Sequence, residues 1–194
     1  MNHSDHVNLL KPANLNPGGV WADFGAGSGA FTLALRELVG SDAEIYAVDT
    51  DRSGLLELQD AYQARFGDAT NLHPVPADFT RPLQLPPLDG ALMANALHYF
   101  KDARTVTPTG QLAKVDNKLA LLRHICSFLK PGAAFLLVEY NVNAGNLWVP
   151  HPLSFGTWQA LAQQAGFTEP RLLATHPSSF LRELFSAVCY NGNS

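Results

Sequence analysis

The sequence predicts an α/β protein: a doubly wound sheet of seven strands, mostly parallel, with one antiparallel strand near the C-terminus and helices on both faces. Three observations predict it. Short apolar runs alternate with stretches of helical period through most of the chain. A glycine-rich loop stands between the first apolar run and the first amphipathic stretch. The last two apolar runs, 171–175 and 185–190, follow one another with no helical stretch between them, which reads as an antiparallel closing pair.

Taken in order, residues 1–14 are an N-terminal extension with a polar start, in which His3 and His6 are expected to be disordered, and an apolar patch at Leu9-Leu10. Leu15-Asn16-Pro17-Gly18-Gly19 turns into a first strand, Val20 to Phe24. The loop Gly25-Ala26-Gly27-Ser28-Gly29 follows, and Phe31, Leu33, Ala34, Leu35 and Leu38 mark a helix starting near Ser28. After the break Gly40-Ser41-Asp42, a second strand runs from Ala43 to Asp49 and an amphipathic helix from Asp51 to Phe66, closed by Gly67. Pro74 and Pro76 confine a third strand, 71–77, to a sheet edge. A fourth strand spans 88–94 and ends at Asn95. The polar segment 101–115, with Lys101, Arg104 and Lys114, is long for a connection and is a candidate lid. A helix over 119–129, closed by Lys130-Pro131-Gly132, precedes a buried strand over 133–140. An irregular segment, 141–152, a helix over 153–166 capped by Ser154 and stopped by Gly166, and strands at 171–175 and 185–190 complete the chain.

The glycine loop is where a ligand can lie against the main chain, since glycine lacks a Cβ and tolerates positive φ. The following helix N-terminus favours a carboxylate or phosphate. Two cofactor classes fit. Gly25-Ala26-Gly27-Ser28-Gly29-Ala30 satisfies the dinucleotide pattern G-x-G-x-x-G/A, with Asp49 as the ribose-binding acid twenty residues beyond Gly29. Asp23 shifts the balance, because an acid at the strand end opposes a pyrophosphate and welcomes a cation.

The resulting string D-x-G-x-G-x-G resembles motif I of the class I S-adenosylmethionine-dependent methyltransferases, small-molecule type, whose fold is Rossmann-like. The resemblance extends over roughly residues 15–190: Asn95-Ala96-Leu97-His98-Tyr99-Phe100 is similar to the family's fourth-strand motif, Leu129-Lys130-Pro131-Gly132-Ala133 departs from L-K-P-G-G only at the last position, and Trp158 to Phe167 follows W-x-x-L-x-x-x-A-G-F. It implies that Asp23 meets the cofactor ammonium and that Gly25, Ala26, Gly27 and Gly29 pass under the cofactor. Asp49, with Thr50 beside it, would accept from the ribose hydroxyls; the bland alternative is that Asp49 caps the next helix. Asp78 would meet the adenine amino group while Phe79 packs on the ring, the alternative being a simple Asp-Phe-Thr-Arg-Pro turn. Asn95 completes the cofactor set.

The resemblance implies methyl transfer to a small molecule by in-line displacement, which requires alignment and exclusion of water and no protein nucleophile. A base is needed only if the acceptor must lose a proton. The candidates facing the methyl group are His98, Tyr99 and Tyr140, with Asn141 and His151 beyond them; His98 packed against the following helix is the competing structural reading. His124 reads as structural.

Other chemistries are excluded. No metal-ligand spacing exists, Ala26 breaks a G-x-S-x-G elbow, and no G-K-[ST] follows the glycines. A net charge of −4 disfavours nucleic acid. The 194 residues, 46% hydrophobic and 15% charged, are expected to form one domain over 1–194. Cys126 and Cys189 read as buried free thiols, and the chain shows neither a signal peptide nor a membrane span, so a cytoplasmic monomer or homodimer is expected. Two other functions stay open: an NAD(P)-dependent oxidoreductase and a non-catalytic cofactor-binding protein of the same fold.

Overall fold

A computed structural model describes residues 1–106 and 112–193 of the chain. The main sheet has seven strands in the order β3-β2-β1-β4-β7-β9-β8. These are β1 (Gly19–Phe24), β2 (Ala43–Asp49), β3 (Leu72–Pro76), β4 (Leu88–Ala94), β7 (Leu129–Tyr140), β8 (Phe167–Pro177) and β9 (Glu183–Asn191). Neighbours from β3 through β7 pair in parallel, whereas β9 runs antiparallel to both β7 and β8. The expected single reversed strand is therefore β9, inserted between β7 and β8.

Helices α2 (Ala30–Val39), α3 (Arg52–Phe66), α4 (Asn117–Cys126) and α5 (Phe155–Ala165) cover the sheet, and each of its faces meets its own core cluster. Burial on both faces explains why β1, β4 and β7 read as continuous apolar runs instead of alternating ones. Pro74 and Pro76 lie in β3 at the sheet edge, where a missing N–H breaks no ladder. The helix punctuation also follows the sequence. Asp51 caps α3 by accepting from Ser53 N–H at 3.0 Å, and Ser154 caps α5. Gly67 and Gly166 close these helices in the left-handed conformation.

Four expectations are corrected. His3 and His6 belong to a helix, α1 (His3–Leu10), opened by a reciprocal Asn2–Asp5 capping box. Burial of Leu9 and Leu10, the His3–Glu37 contact at 2.7 Å and the His6 ring against Phe31 hold α1 on the body of the fold. The helix after the glycine loop starts at Ala30, not Ser28. Helix α4 ends at Cys126, and Lys130-Pro131-Gly132 lies inside β7: Leu88 pairs with Leu129 and Gly90 with Ala134, so the intervening residues bulge out, with Gly132 at φ 72°. Segment 101–115 carries a separate antiparallel pair, β5 (Ala103–Val106) and β6 (Leu112–Val115); the tip of the candidate lid, 107–111, lies outside the described residues.

Candidate active site

Strand order reverses on either side of β1 and β4, so their carboxyl ends open the crevice in which ligands of doubly wound sheets bind. The glycine loop leaves the end of β1, Asn95 leaves the end of β4, and Tyr140 ends β7. Gly25 and Ala26 donate to Val48 O at 2.8 and 3.3 Å, which ties the loop to β2.

The glycines do different jobs. A Cβ on Gly25 would stand 2.6 Å from the Cβ of Ala96, so this glycine lets the loop close against the end of β4. A Cβ on Gly29, at φ 85°, would come within 2.1 Å of the Leu58 side chain, so Gly29 lets Leu58 of α3 pack against the start of α2. Gly27 has φ 50° and nothing within 4 Å of a built Cβ. It is the open floor of the loop.

Asp23 is 1% exposed. Its Oδ2 accepts from Thr32 Oγ1 at 2.6 Å, while its buried Oδ1 has no hydrogen-bond partner among the described residues. Burial, opposed by the Thr32 bond and aided by the nearby Asp49, pushes this carboxyl up to about 7. A buried orphan acceptor beside an open glycine floor is the environment an ammonium would satisfy.

Asp49 is doubly engaged: Oδ2 accepts from Gly27 N–H and Oδ1 from Asp51 N–H, both at 2.8 Å. It thus clamps the loop to the turn after β2, and the helix cap is Asp51 instead. A carboxylate has about four lone-pair directions, so these bonds leave room for two further donors. Thr50 beside it is exposed. Asp78 accepts from Thr80 N–H and Oγ1 and from Arg81 Nε, the bonds of a local turn, and its side chain is 41% exposed. Phe79 packs edge-on to Phe24 with centroids 6.0 Å apart and faces Gly25.

At the other end of the crevice, Asn95 adopts φ 52°, uncommon outside glycine, and its buried Oδ1 is without a partner among the described residues. His98 is 2% exposed, and its Nδ1 lies 2.8 Å from Oε2 of the fully buried Glu139. Glu139 also accepts from the backbone N–H groups of His98 and Tyr140, at 3.1 and 3.3 Å. A carboxylate at this distance accepts from Nδ1–H, and in the neutral ring Nε2 then carries the lone pair. The hydrogen-bond partner of His98 is Glu139 on β7. No sequence signal marks Glu139, because it sits inside an apolar run 41 positions away. Tyr140 is buried, Tyr99 is 64% exposed, and both rings stand against His98. Asn141 instead turns to Glu183 and Phe155, and His151 donates its N–H to His98 O. His124 bonds Arg81 O and packs on Phe128. The described residues hold no cluster fit for a metal.

The family described as a methyltransferase domain matches residues 4–188. The chain belongs to it. Among solved structures, a putative O-methyltransferase from Nostoc punctiforme is 19% identical with a TM-score of 0.71, over 97% of this chain and 55% of that one. The N-methyltransferase NodS from Bradyrhizobium japonicum, crystallised with S-adenosylhomocysteine, is 11% identical with a TM-score of 0.69, over 98% of this chain and 86% of that one. The Burkholderia thailandensis 1,6-didemethyltoxoflavin-N1-methyltransferase, with bound 1,6-didemethyltoxoflavin and S-adenosylhomocysteine, is 19% identical with a TM-score of 0.69, over 98% of this chain and 78% of that one. The chain spans just over half the length of the Nostoc protein. No curated protein matches the sequence.

Proposed function

We infer that this methyltransferase uses S-adenosylmethionine to methylate a small molecule held between the glycine loop and the His98–Glu139 pair. The observation that carries the reading is the pair of buried side-chain oxygens without a partner among the described residues, Asp23 Oδ1 and Asn95 Oδ1, at the ends of β1 and β4, the two strands that flank the switch point. Asp23 takes the cofactor's ammonium, Gly25, Ala26, Gly27 and Gly29 form the floor, Asp49 and Thr50 take the ribose hydroxyls, and Asp78 and Phe79 border the adenine. Asn95 borders the methionine end, where the cofactor meets the acceptor.

When bound, the cofactor supplies a methyl carbon whose bond to sulfur breaks as its bond to the acceptor forms, leaving a neutral thioether. His98 Nε2 receives the acceptor's proton, and Glu139 holds the ring in the tautomer that can do so. The walls of Tyr99 and Tyr140 reduce the water around this proton transfer. The reading includes one domain over 1–194, a monomer or homodimer with no nucleic-acid partner, and a cytoplasmic location, supported by the buried free thiols Cys126 and Cys189. No helix among the described residues is long and apolar enough to cross a membrane.

Calorimetric titration with S-adenosylhomocysteine and, in parallel, NAD tests the reading. Binding of the first and not the second is expected, and Asp49→Ala is expected to weaken it about tenfold or more, because two donors lose their acceptor. Binding of NAD alone, or of neither, would end it.

A further inference from the structure

A cavity of about 220 Å³ opens beside His98 at the carboxyl edge of the sheet. It is smaller than the roughly 300 Å³ at which pockets for drug-sized ligands begin, so its occupant is small. Its lining is dominated by rings: His98, Tyr99, Tyr140, Trp148 and Phe180. Three of these are far from the core, Tyr99 64%, Trp148 71% and Phe180 66% exposed. Apolar surface left open around a concave polar centre marks a ligand groove.

The backbone carrying these rings is pinned. Asn146 Oδ1 accepts from both Trp148 N–H and Val149 N–H at 2.9 Å, Asn146 N–H donates to Val149 O at 3.0 Å, and Asn146 Nδ2 reaches Phe180 O at 3.4 Å. The segment after β7 and the turn between β8 and β9 are thereby fastened together over the cavity. His151 N–H to His98 O fastens the same segment to the base. Ring faces held on a fixed frame favour a planar aromatic partner by offset or edge contacts.

Two polar atoms in this ring of aromatics are open to a ligand: Asn95 Oδ1, buried and without a partner among the described residues, and His98 Nε2, the ring nitrogen not taken by Glu139. Each calls for a donor on the ligand. The positive φ of Asn95 is a local cost at the place where its amide serves the cavity.

Building on the methyltransferase reading above, we propose that the acceptor is a small planar aromatic with an ionisable ring hydroxyl facing His98 and a second O–H or N–H donor facing Asn95. The hydroxyl oxygen takes the methyl group, its proton passes to His98 Nε2, and the sulfonium donor becomes a thioether, so charge and atoms balance.

The test is calorimetric binding to the full chain saturated with S-adenosylhomocysteine, using 2,3-dihydroxynaphthalene, 2-naphthol and cis-cyclohexane-1,2-diol as probes. The dihydroxy aromatic is expected to bind about tenfold more tightly than the single-donor naphthol, the difference one buried hydrogen bond makes, and the saturated diol not measurably. Asn95→Gly keeps the positive φ while removing the amide, and should reduce the ratio between the two naphthols to about one. Trp148→Ala and Phe180→Ala should each weaken both aromatics roughly threefold to tenfold, the range of a lost ring contact. Equal or tighter binding of the saturated diol, an unchanged ratio in Asn95→Gly, or self-association of the chain that buries Trp148 and Phe180 and excludes all three probes would overturn the proposal and leave the methyltransferase reading standing. Failure of S-adenosylhomocysteine itself to bind would remove both.

Discussion

Asp23 illustrates how one buried residue makes the stability of the fold depend on pH. Its carboxyl titrates near 7 in the fold against 3.8 unfolded, so between those values the folded state holds a proton that the unfolded state has released. Stability from this group therefore falls as pH rises from about 4 to about 7, by up to roughly 1.4 kcal/mol per pH unit, and is level above. Asp23→Asn should remove that slope and raise the melting temperature of the ligand-free protein at pH 8. Equal pH profiles for the two proteins would show that the carboxyl is already ionised. At Gly29 the relevant force is packing: Gly29→Ala places a Cβ into Leu58 at a left-handed φ, and a loss of about 2–3 kcal/mol in denaturant unfolding is expected. At His98, replacement by Gln should lower kcat about 10²–10⁴-fold with S-adenosylhomocysteine affinity retained, read by rate assays beside calorimetry.

Elements were legible in the sequence where one local rule decides them and illegible where a distant contact does. β1, β2, β4 and β7 are apolar runs because helices cover both faces, and α3 and α5 carry their start and stop residues, Asp51 with Gly67 and Ser154 with Gly166. Helix α1 escaped notice because its stability comes from Leu9 and Leu10 packing under α2 and from Ser186 Oγ donating to Leu9 O at 2.6 Å across 177 positions. The β5–β6 pair escaped because a polar hairpin standing off the main sheet has no apolar alternation to announce it. In the candidate site, the positions of Asp23, Gly27 and Asp49 around the ends of β1 and β2, and of Asn95 after β4, follow the order of the motifs in the sequence. The partnership of His98 with Glu139 depends on β4 lying beside β7, which no spacing encodes. A further packing test follows at this scale. Gly90 on β4 receives the Trp21 ring of β1 so closely that a built Cβ stands 2.2 Å from it. Gly90→Ala should cost about 1–3 kcal/mol through forced movement of Trp21, seen as a lower denaturation midpoint with an unchanged slope. An unperturbed midpoint would mean the β1–β4 contact is looser than described.

For the molecule as a whole, the proposed cofactor site would link cofactor, acid and fold in a single equilibrium. A ligand that binds only the folded state adds stability by mass action, about 2.7 kcal/mol at a hundredfold excess over its Kd. For a chain of this length each kcal/mol moves the midpoint by roughly 2–4 °C, so saturating S-adenosylhomocysteine should raise the melting temperature by about 5–10 °C. With the cofactor's ammonium against Asp23, as proposed, the carboxylate is favoured, so binding below pH 7 would expel the proton that burial retains there. The affinity should therefore climb between pH 5.5 and 7, approaching tenfold per pH unit, and flatten above. At a fixed ligand concentration the thermal shift should be larger at pH 7 than at pH 5.5, and Asp23→Asn should abolish this difference. NAD, with a pyrophosphate facing the same carboxyl, should show the opposite trend if it bound at all, since ionising Asp23 would then oppose it. A shift independent of pH in the native protein would place the ligand's charge away from Asp23 and break the link between this buried acid and the reaction.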